Sequence, residues 1–288
     1  MAAFGGGIQY RTGESQVVIK KVIGDLHPGK FGKVPAIPIG DPTLGLQNIK
    51  RRSGTDDASF RRQLTLRREL DHDFDTKYHQ SQKAVRAYDE VYSAAVSLMD
   101  SKDLDAFDLS KEPADSRAAY GSDRLGKGVL LARRLVERGV RFVEVEYGGF
   151  DWHADNFDQM EEKIPVLDQA LSALLADLSA RGLLESTLVV VATEFGRSPK
   201  ITPNAGRSHY PKAFSCLMAG GGIRGGQPYG ATDATASKVI ENAVGAADFN
   251  ASIAFALGLP FDQVVMSPTK RPFKTGGQEG KPITQIFS

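Results

Sequence analysis

Three short polar stretches in the second half of the chain carry the residue types that ligate metals. In Gly148-Gly149-Phe150-Asp151-Trp152-His153, a carboxylate and an imidazole stand two residues apart in a glycine-opened loop, where both can point at one ion. The plain alternative is Asp151 capping the helix that follows, with His153 a surface residue. In Thr193-Glu194-Phe195-Gly196-Arg197, the carboxylate lies directly beyond a very apolar run and needs a partner to offset its desolvation. A metal would serve, and so would a Glu194–Arg197 ion pair. The third stretch, Gly206-Arg207-Ser208-His209-Tyr210-Pro211, reads as a loop ahead of the next strand, and His209 has no helical face to stabilise there. Together Asp151, His153, Glu194 and His209 form a mixed nitrogen and oxygen donor set that suits zinc, manganese or iron better than calcium. Arg197 and Arg207 flank it, and a guanidinium grips sulfate or phosphate oxygens two at a time, so the expected ligand is an anionic ester of a small molecule or polysaccharide.

The elements that must hold these stretches follow from apolar periodicity. Leu125 to Arg138 reads as a helix ended by Gly139, followed by a strand over Arg141 to Tyr147. Phe157 to Arg181 carries Ile164, Leu167, Leu171, Leu174, Leu175 and Leu178 at helical spacing and stops at Gly182. Thr187 to Thr193 is a continuous β-branched run expected to be buried on both faces, and Ala213 to Met218 repeats that signature before Gly220, Gly221 and Gly222. Those glycines read as a tight turn, because the Lys-Ser/Thr ending of a phosphate loop is missing. Cys216 reads as an inert thiol within a strand. Phe249 to Leu257 forms a closing helix ended by Gly258. The alternation predicts an α/β fold with a largely parallel sheet covered by helices, and in such sheets ligands bind beyond the carboxyl ends of strands.

Upstream, Thr55 to Leu98 predicts two helices broken around Asp71 to Asp75. Its cluster Arg61, Arg62, Arg67 and Arg68 reads as a solvated helix face. Residues 1–54 are rich in Gly and Pro, with β-like pieces at Gln16 to Val22 and Val34 to Ile39, and read as an irregular cap or loop region. The expected division is therefore 1–54 and an α/β unit over 55–288, with a single domain over 1–288 as the alternative. With 36 Lys and Arg against 35 Asp and Glu, the net charge of +1 gives no electrostatic case for nucleic acid. The single cysteine excludes an internal disulfide and any Cys-based zinc cluster. No stretch approaches the roughly 18 apolar residues of a membrane span. The start of the chain lacks a secretory signal pattern, so the sequence as given reads as cytoplasmic, or as periplasmic or exported with its signal missing.

The chain resembles the domain-of-unknown-function 1501 family, sulfatase-like proteins related to the alkaline phosphatase superfamily. The likeness runs through Ala106 to Pro113, Leu130 to Val136, the Asp151-Trp152-His153 motif, Leu183 to Pro199 and Gly206 to Asp233, and continues to Phe287, with a weaker likeness over Val34 to Asp73. It implies an alkaline phosphatase-like fold whose strand-end residues hold one or two divalent ions. Asp151 and His153 would match the superfamily's Asp/His metal pair, and His209 its later histidine before a proline. Glu194 stands where relatives carry the Asp of an Asp-His-Gly motif, and Phe195 replaces the histidine ligand of a second metal. The family's opening Gly-Gly-Pro-Ser type loop, near which related enzymes place a Ser or Thr nucleophile, has no counterpart before Gly24, so an N-terminally truncated member is expected.

The expected function is metal-dependent hydrolysis of a sulfate or phosphate ester, with zinc or manganese as the ion. The alternative is a non-catalytic metal-binding, structural or interaction protein that has lost the catalytic N-terminal segment. No nucleophile is assigned: Thr193, Ser198 and Ser208 lie near the ligands in sequence, but none has a recognisable activating base.

Overall fold

The structure is a computed structural model that describes residues 16–19, 37–42, 44, 51, 53–78, 92–93, 95–267, 269–274, 277 and 279–288. Strands β1 (Gln16–Ile19), β2 (Ile37–Gly40) and β3 (Val143–Glu146) form one sheet in the order β2-β1-β3. Four two-stranded sheets complete the strand inventory of the described residues. They pair β4 (Val189–Val191) with β7 (Leu217–Ala219), and β5 (Gly196–Ile201) with β6 (Arg207–Tyr210). They also pair β8 (Ala231–Thr232) with β9 (Val239–Glu241), and β10 (Val264–Met266) with β11 (Pro272–Lys274). Helices among the described residues include α1 (Asp57–Tyr78), α2 (Ala114–Tyr120), α3 (Arg124–Glu137), α4 (Asn156–Ala180) and α5 (Ala246–Ala256), and residues 92–93 and 95–99 are also helical.

Helix α3 is the centre of the packing because it is apolar on two sides. Asp123 caps it, accepting from the Gly126 amide at 3.0 Å. On one side Leu125, Val129 and Leu130 pack with Tyr120 and with Ala170 of α4. On the other, Leu131 and Leu135 meet Ala106, Val140 and Val143. Leu130 and Leu131 are essentially solvent-free, and burying each stabilises by about 1.5–3 kcal/mol. Val145 of β3 joins both groups, so the strand that leads into the Asp151 loop is seated on α3 and α4. Both helices end in Schellman motifs. The Val140 amide reaches the Leu135 carbonyl and the Leu183 amide the Leu178 carbonyl, while Gly139 and Gly182 take the left-handed conformation that only glycine adopts without cost.

The expected mixture of helices and strands is present, but its sheet differs from the expectation. Every strand pair among the described residues is antiparallel. The reason lies in the connections. Strands β3 and β4, which flank α4, do not pair with each other; β3 takes β1 and β4 takes β7. A return to β4 without a helical crossover favours antiparallel pairing. The second apolar run forms strand only over Leu217–Ala219, while Ala213 passes over Gly196, where a Cβ would stand 2.2 Å from the Ala213 carbonyl oxygen. Cys216 consequently lies outside the strand and is exposed, and Val190 and Val191 are only half-buried. The triple glycine makes the expected turn, with three positive φ angles.

Upstream, α1 runs unbroken through residues 71–75, against the expected interruption. Neighbouring turns are stitched by the Arg67–Asp71 pair at 3.1 Å and by the Phe74 and Tyr78 rings at 4.8 Å, both with the i,i+4 spacing that supports a helix. Arg62 meets the Ser59 hydroxyl, and Arg67 stacks over Tyr92, consistent with an ordinary helix surface. The β-like pieces expected near the start coincide with β1 and β2, while Lys20 to Val22 and Val34 to Ala36 lie outside the described residues. No helix of the described residues is long and apolar enough to cross a membrane.

Beneath α3 lies a buried ionic network. Arg133 is 1% exposed and meets Glu112 and Glu137, each at 2.5 Å. Its Nε lies 2.9 Å from Asp177 Oδ2 but off the hydrogen-bonding direction, which makes that a charge contact. Arg134 closes the group on Glu112 and on the Ala106 carbonyl. Burial raises the Glu112 carboxyl, and the Arg133 and Arg134 guanidiniums overcome that effect and hold it below the ordinary carboxylate value. Removing one member strands a buried charge. Arg133→Met should therefore lose about 3–5 kcal/mol in urea denaturation. Arg138→Met, whose exposed pair with Asp103 spans 3.7 Å, should lose less than about 1 kcal/mol. Equal losses would show that burial does not set the cost.

Candidate metal centre

The centre forms where the loop between β3 and α4 meets the β5–β6 hairpin. In the loop, exposure alternates: Phe150 and Trp152 are half-buried, while Asp151 and His153 face outward. The aromatic residues form an inner seam, with Phe150 edge-on to Tyr147 at 5.2 Å and beside Trp152 at 5.0 Å. Lys163 of α4 holds this seam, standing 4.9 Å from the Tyr147 ring and 5.2 Å from the Phe150 ring while donating to the Gly148 carbonyl at 2.7 Å. Turning the aromatic residues inward turns Asp151 and His153 outward, toward the hairpin.

The hairpin supplies the other half. Arg197 on β5 and His209 on β6 are direct cross-strand partners, so their side chains emerge side by side. His209 was expected in a loop and instead stands on a strand, and its ring is flanked by Phe195 at 4.5 Å and His153 at 5.0 Å. Three main-chain hydrogen bonds fasten hairpin to loop: Asp155 N–H to Asn204, Asn156 N–H to Ala205, and Arg207 N–H to Trp152. This approach is close enough to demand glycine at 206, where a Cβ would stand 1.9 Å from the His153 carbonyl oxygen.

Asp151, His153 and His209 come together, each offering a ligand atom within 4.8 Å of the others. A single oxygen, Asp151 Oδ1, accepts from Arg197 Nη2 at 2.6 Å, lies 2.8 Å from His209 Nε2 and 3.3 Å from His153 Nε2. The three ligand side chains are 67%, 56% and 48% exposed for Asp151, His153 and His209. In a tetrahedral zinc site with bonds of about 2.0–2.1 Å, neighbouring ligand atoms stand about 3.3 Å apart, close to the 2.8 and 3.3 Å that separate Asp151 Oδ1 from the two imidazole nitrogens. Two imidazole nitrogens and one carboxylate oxygen would leave one coordination position free.

Glu194 is exposed on the turn between β4 and β5 and is not part of this group. The Glu194–Arg197 pair is not formed; the carboxylate partner of Arg197 is Asp151, and its remaining bonds go to the Phe150 and Arg207 carbonyls. Arg207 donates to the Ser198 and Pro199 carbonyls and stands 5.6 Å over the Phe157 ring. Nor does Asp151 cap α4, whose N-cap is Asp155 in the left-handed conformation. Lys163, Phe195 and Gly206 were not foreseen as positioning residues. Nothing in local pattern separates Lys163 from any surface lysine, and the close approach at Gly206 depends on a distant segment that local pattern does not report.

Arg197, and then His209, hold the Asp151 carboxyl down at about 2. Its contribution to stability is therefore complete above the ordinary carboxylate value and is lost as pH falls through about 2. Carboxyl-carbon NMR of the metal-free protein should give this midpoint, and Arg197→Met should move it toward the ordinary value near 3.9; an unmoved midpoint would remove Arg197 as the cause. Gly206→Ala should release the lacing, so that the Asp155 and Asn156 amides lose hydrogen-exchange protection while those of α3 keep theirs. Retained protection at Asn156 would contradict the close-approach account.

Neither a search of curated proteins nor one of solved structures finds a match to this chain. The family model described as "Protein of unknown function (DUF1501)" matches residues 27–287. The match takes in β3, α4 and the β5–β6 hairpin together, and the chain belongs to the DUF1501 family.

Proposed function

We propose that the chain is a metal-dependent hydrolase-like protein of sulfatase and alkaline phosphatase kinship, directed at sulfate or phosphate esters. The observation that carries this reading is the convergence of Asp151, His153 and His209 from two chain segments on one point. Zinc and manganese suit a set of two imidazoles and a carboxylate. Bound there, the ion would supply Lewis-acid polarisation of an ester oxygen. The chain's own part is to hold three ligands on a laced frame and to keep Arg197 beside them as a fixed positive charge able to balance an anionic group. The aromatic seam packs under the loop that carries two of the three ligands.

A second reading, a metal centre that fastens loops without catalysis, draws on the hydroxyl groups. Ser198 donates to the Lys200 carbonyl, and Thr193 and Ser208 are exposed, with no base bonded to either. Two measurements separate the readings. The purified chain should hold about one divalent metal, reduced strongly in His209→Ala, because two remaining ligands bind far more weakly than three. Elemental analysis finding no metal in either protein would sink both readings. With the metal bound, turnover of aryl sulfates or aryl phosphates supports the hydrolase, and none supports the fastening role.

A further inference from the structure

We propose that Arg197 makes the binding of a divalent cation and of a divalent oxyanion at this centre interdependent, an inference that rests on the metal-binding reading above. The starting point is that one oxygen serves three partners. Asp151 Oδ1 takes the Arg197 guanidinium at 2.6 Å and lies against both imidazole nitrogens. An ion bound by these ligands must approach that oxygen, and so comes close to the guanidinium.

The guanidinium is not free to withdraw. Arg197 is only 22% exposed, its backbone lies in β5 opposite His209, and its Nη2 and Nη1 donate to the Phe150 and Arg207 carbonyls at 3.0 and 3.2 Å. These two carbonyls belong to the loop and the hairpin that build the centre, so displacing Arg197 would pull the frame apart.

Charge then decides the outcome. With neutral imidazoles, Asp151 and Arg197 sum to zero; a divalent cation raises the same set to a formal +2. Like charges this close oppose loading, and at an exposed centre salt only partly screens them. One divalent oxyanion returns the sum to zero. It also has donors available: three of the five N–H groups of Arg197 are engaged in hydrogen bonds, leaving two, and the cation contributes its open position. A monovalent anion leaves the set at +1. The centre should therefore take cation and dianion as a pair and favour free sulfate and phosphate monoester dianions over singly charged sulfate esters and phosphodiesters, which narrows the proposed substrates to phosphate monoesters.

Linkage makes this measurable, since each ligand must raise the affinity of the other by the same factor. Zinc binding is titrated calorimetrically in sodium sulfate and in sodium perchlorate at equal ionic strength, and sulfate binding is measured with and without zinc. In the wild-type chain sulfate should tighten zinc binding by about tenfold, within the range usual for coupled sites. In Arg197→Met that ratio should fall to about one whatever happens to the absolute affinity, which guards against a merely loosened loop. Arg197→Lys, which keeps the charge, should retain most of it. A wild-type ratio of one with zinc bound, or an undiminished ratio in Arg197→Met, overturns the coupling and leaves the metal centre standing. Absence of zinc binding in both salts overturns the metal centre and the coupling with it.

Discussion

The centre depends on one steric constraint: the β5–β6 hairpin must come within backbone contact of the loop that follows β3. At Gly206 the main chains meet so closely that a single Cβ would overlap the His153 carbonyl. Everything polar follows from that contact. His209 reaches Asp151 because its strand is laid against the loop, and Arg197 reaches it because cross-strand pairing places it beside His209. The loop is in turn fixed from beneath by Lys163 and the aromatic seam, and β3 by Val143 and Val145 on α3. A ligand set on flexible loops would spend binding energy on ordering itself, and here that ordering is already done by packing.

Two ionic groups among the described residues have opposite characters. Around Glu112 and Arg133 the charges are buried, each has several partners, and the group joins the 3-10 turns before α2 to α3 and α4. There the main consequence of a lost partner is desolvation. Around Asp151 the carboxylate and both imidazoles are about half-exposed or more, with only Arg197 largely covered, and ion pairs in such surroundings contribute little to stability. An exposed carboxylate drawn toward a guanidinium and two imidazoles gains little for the fold, and so is better understood through what it can bind.

The helices were legible because both signals that define them are local: apolar spacing along α3 and α4, and glycine where each must stop. The grouping of Asp151, His153 and His209 is legible in part, since Asp151 and His153 are near neighbours in sequence, whereas the approach of His209 rests on the close contact at Gly206. Strand partnership was not. Periodicity reports that Val189–Val191 is apolar but says nothing of which strand lies beside it or in which direction, and β4 pairs antiparallel with β7. The alternative pairing of Glu194 with Arg197 fails for a related reason. Glu194 is three residues away and Asp151 forty-six, yet the hairpin carries the guanidinium toward the distant carboxylate and leaves Glu194 on the turn. Likewise the Asp-rich stretch of α1 suggested a break, but i,i+4 contacts visible only once the helix exists keep it continuous.

Phe195 joins these points. By resemblance it stands where a histidine ligand of a second ion would be expected, and in this chain its ring lies 4.5 Å from that of His209. An aromatic ring there cannot ligate, but it can restrict the His209 ring. The positive charge a second ion would bring is not wholly missing, because Arg197 holds a guanidinium 2.6 Å from Asp151 Oδ1. On the proposed reading the centre takes one metal, with a covalently attached cation beside it. Such a centre has a fixed demand for negative charge once loaded, and that demand, more than the identity of the ion, would select what binds.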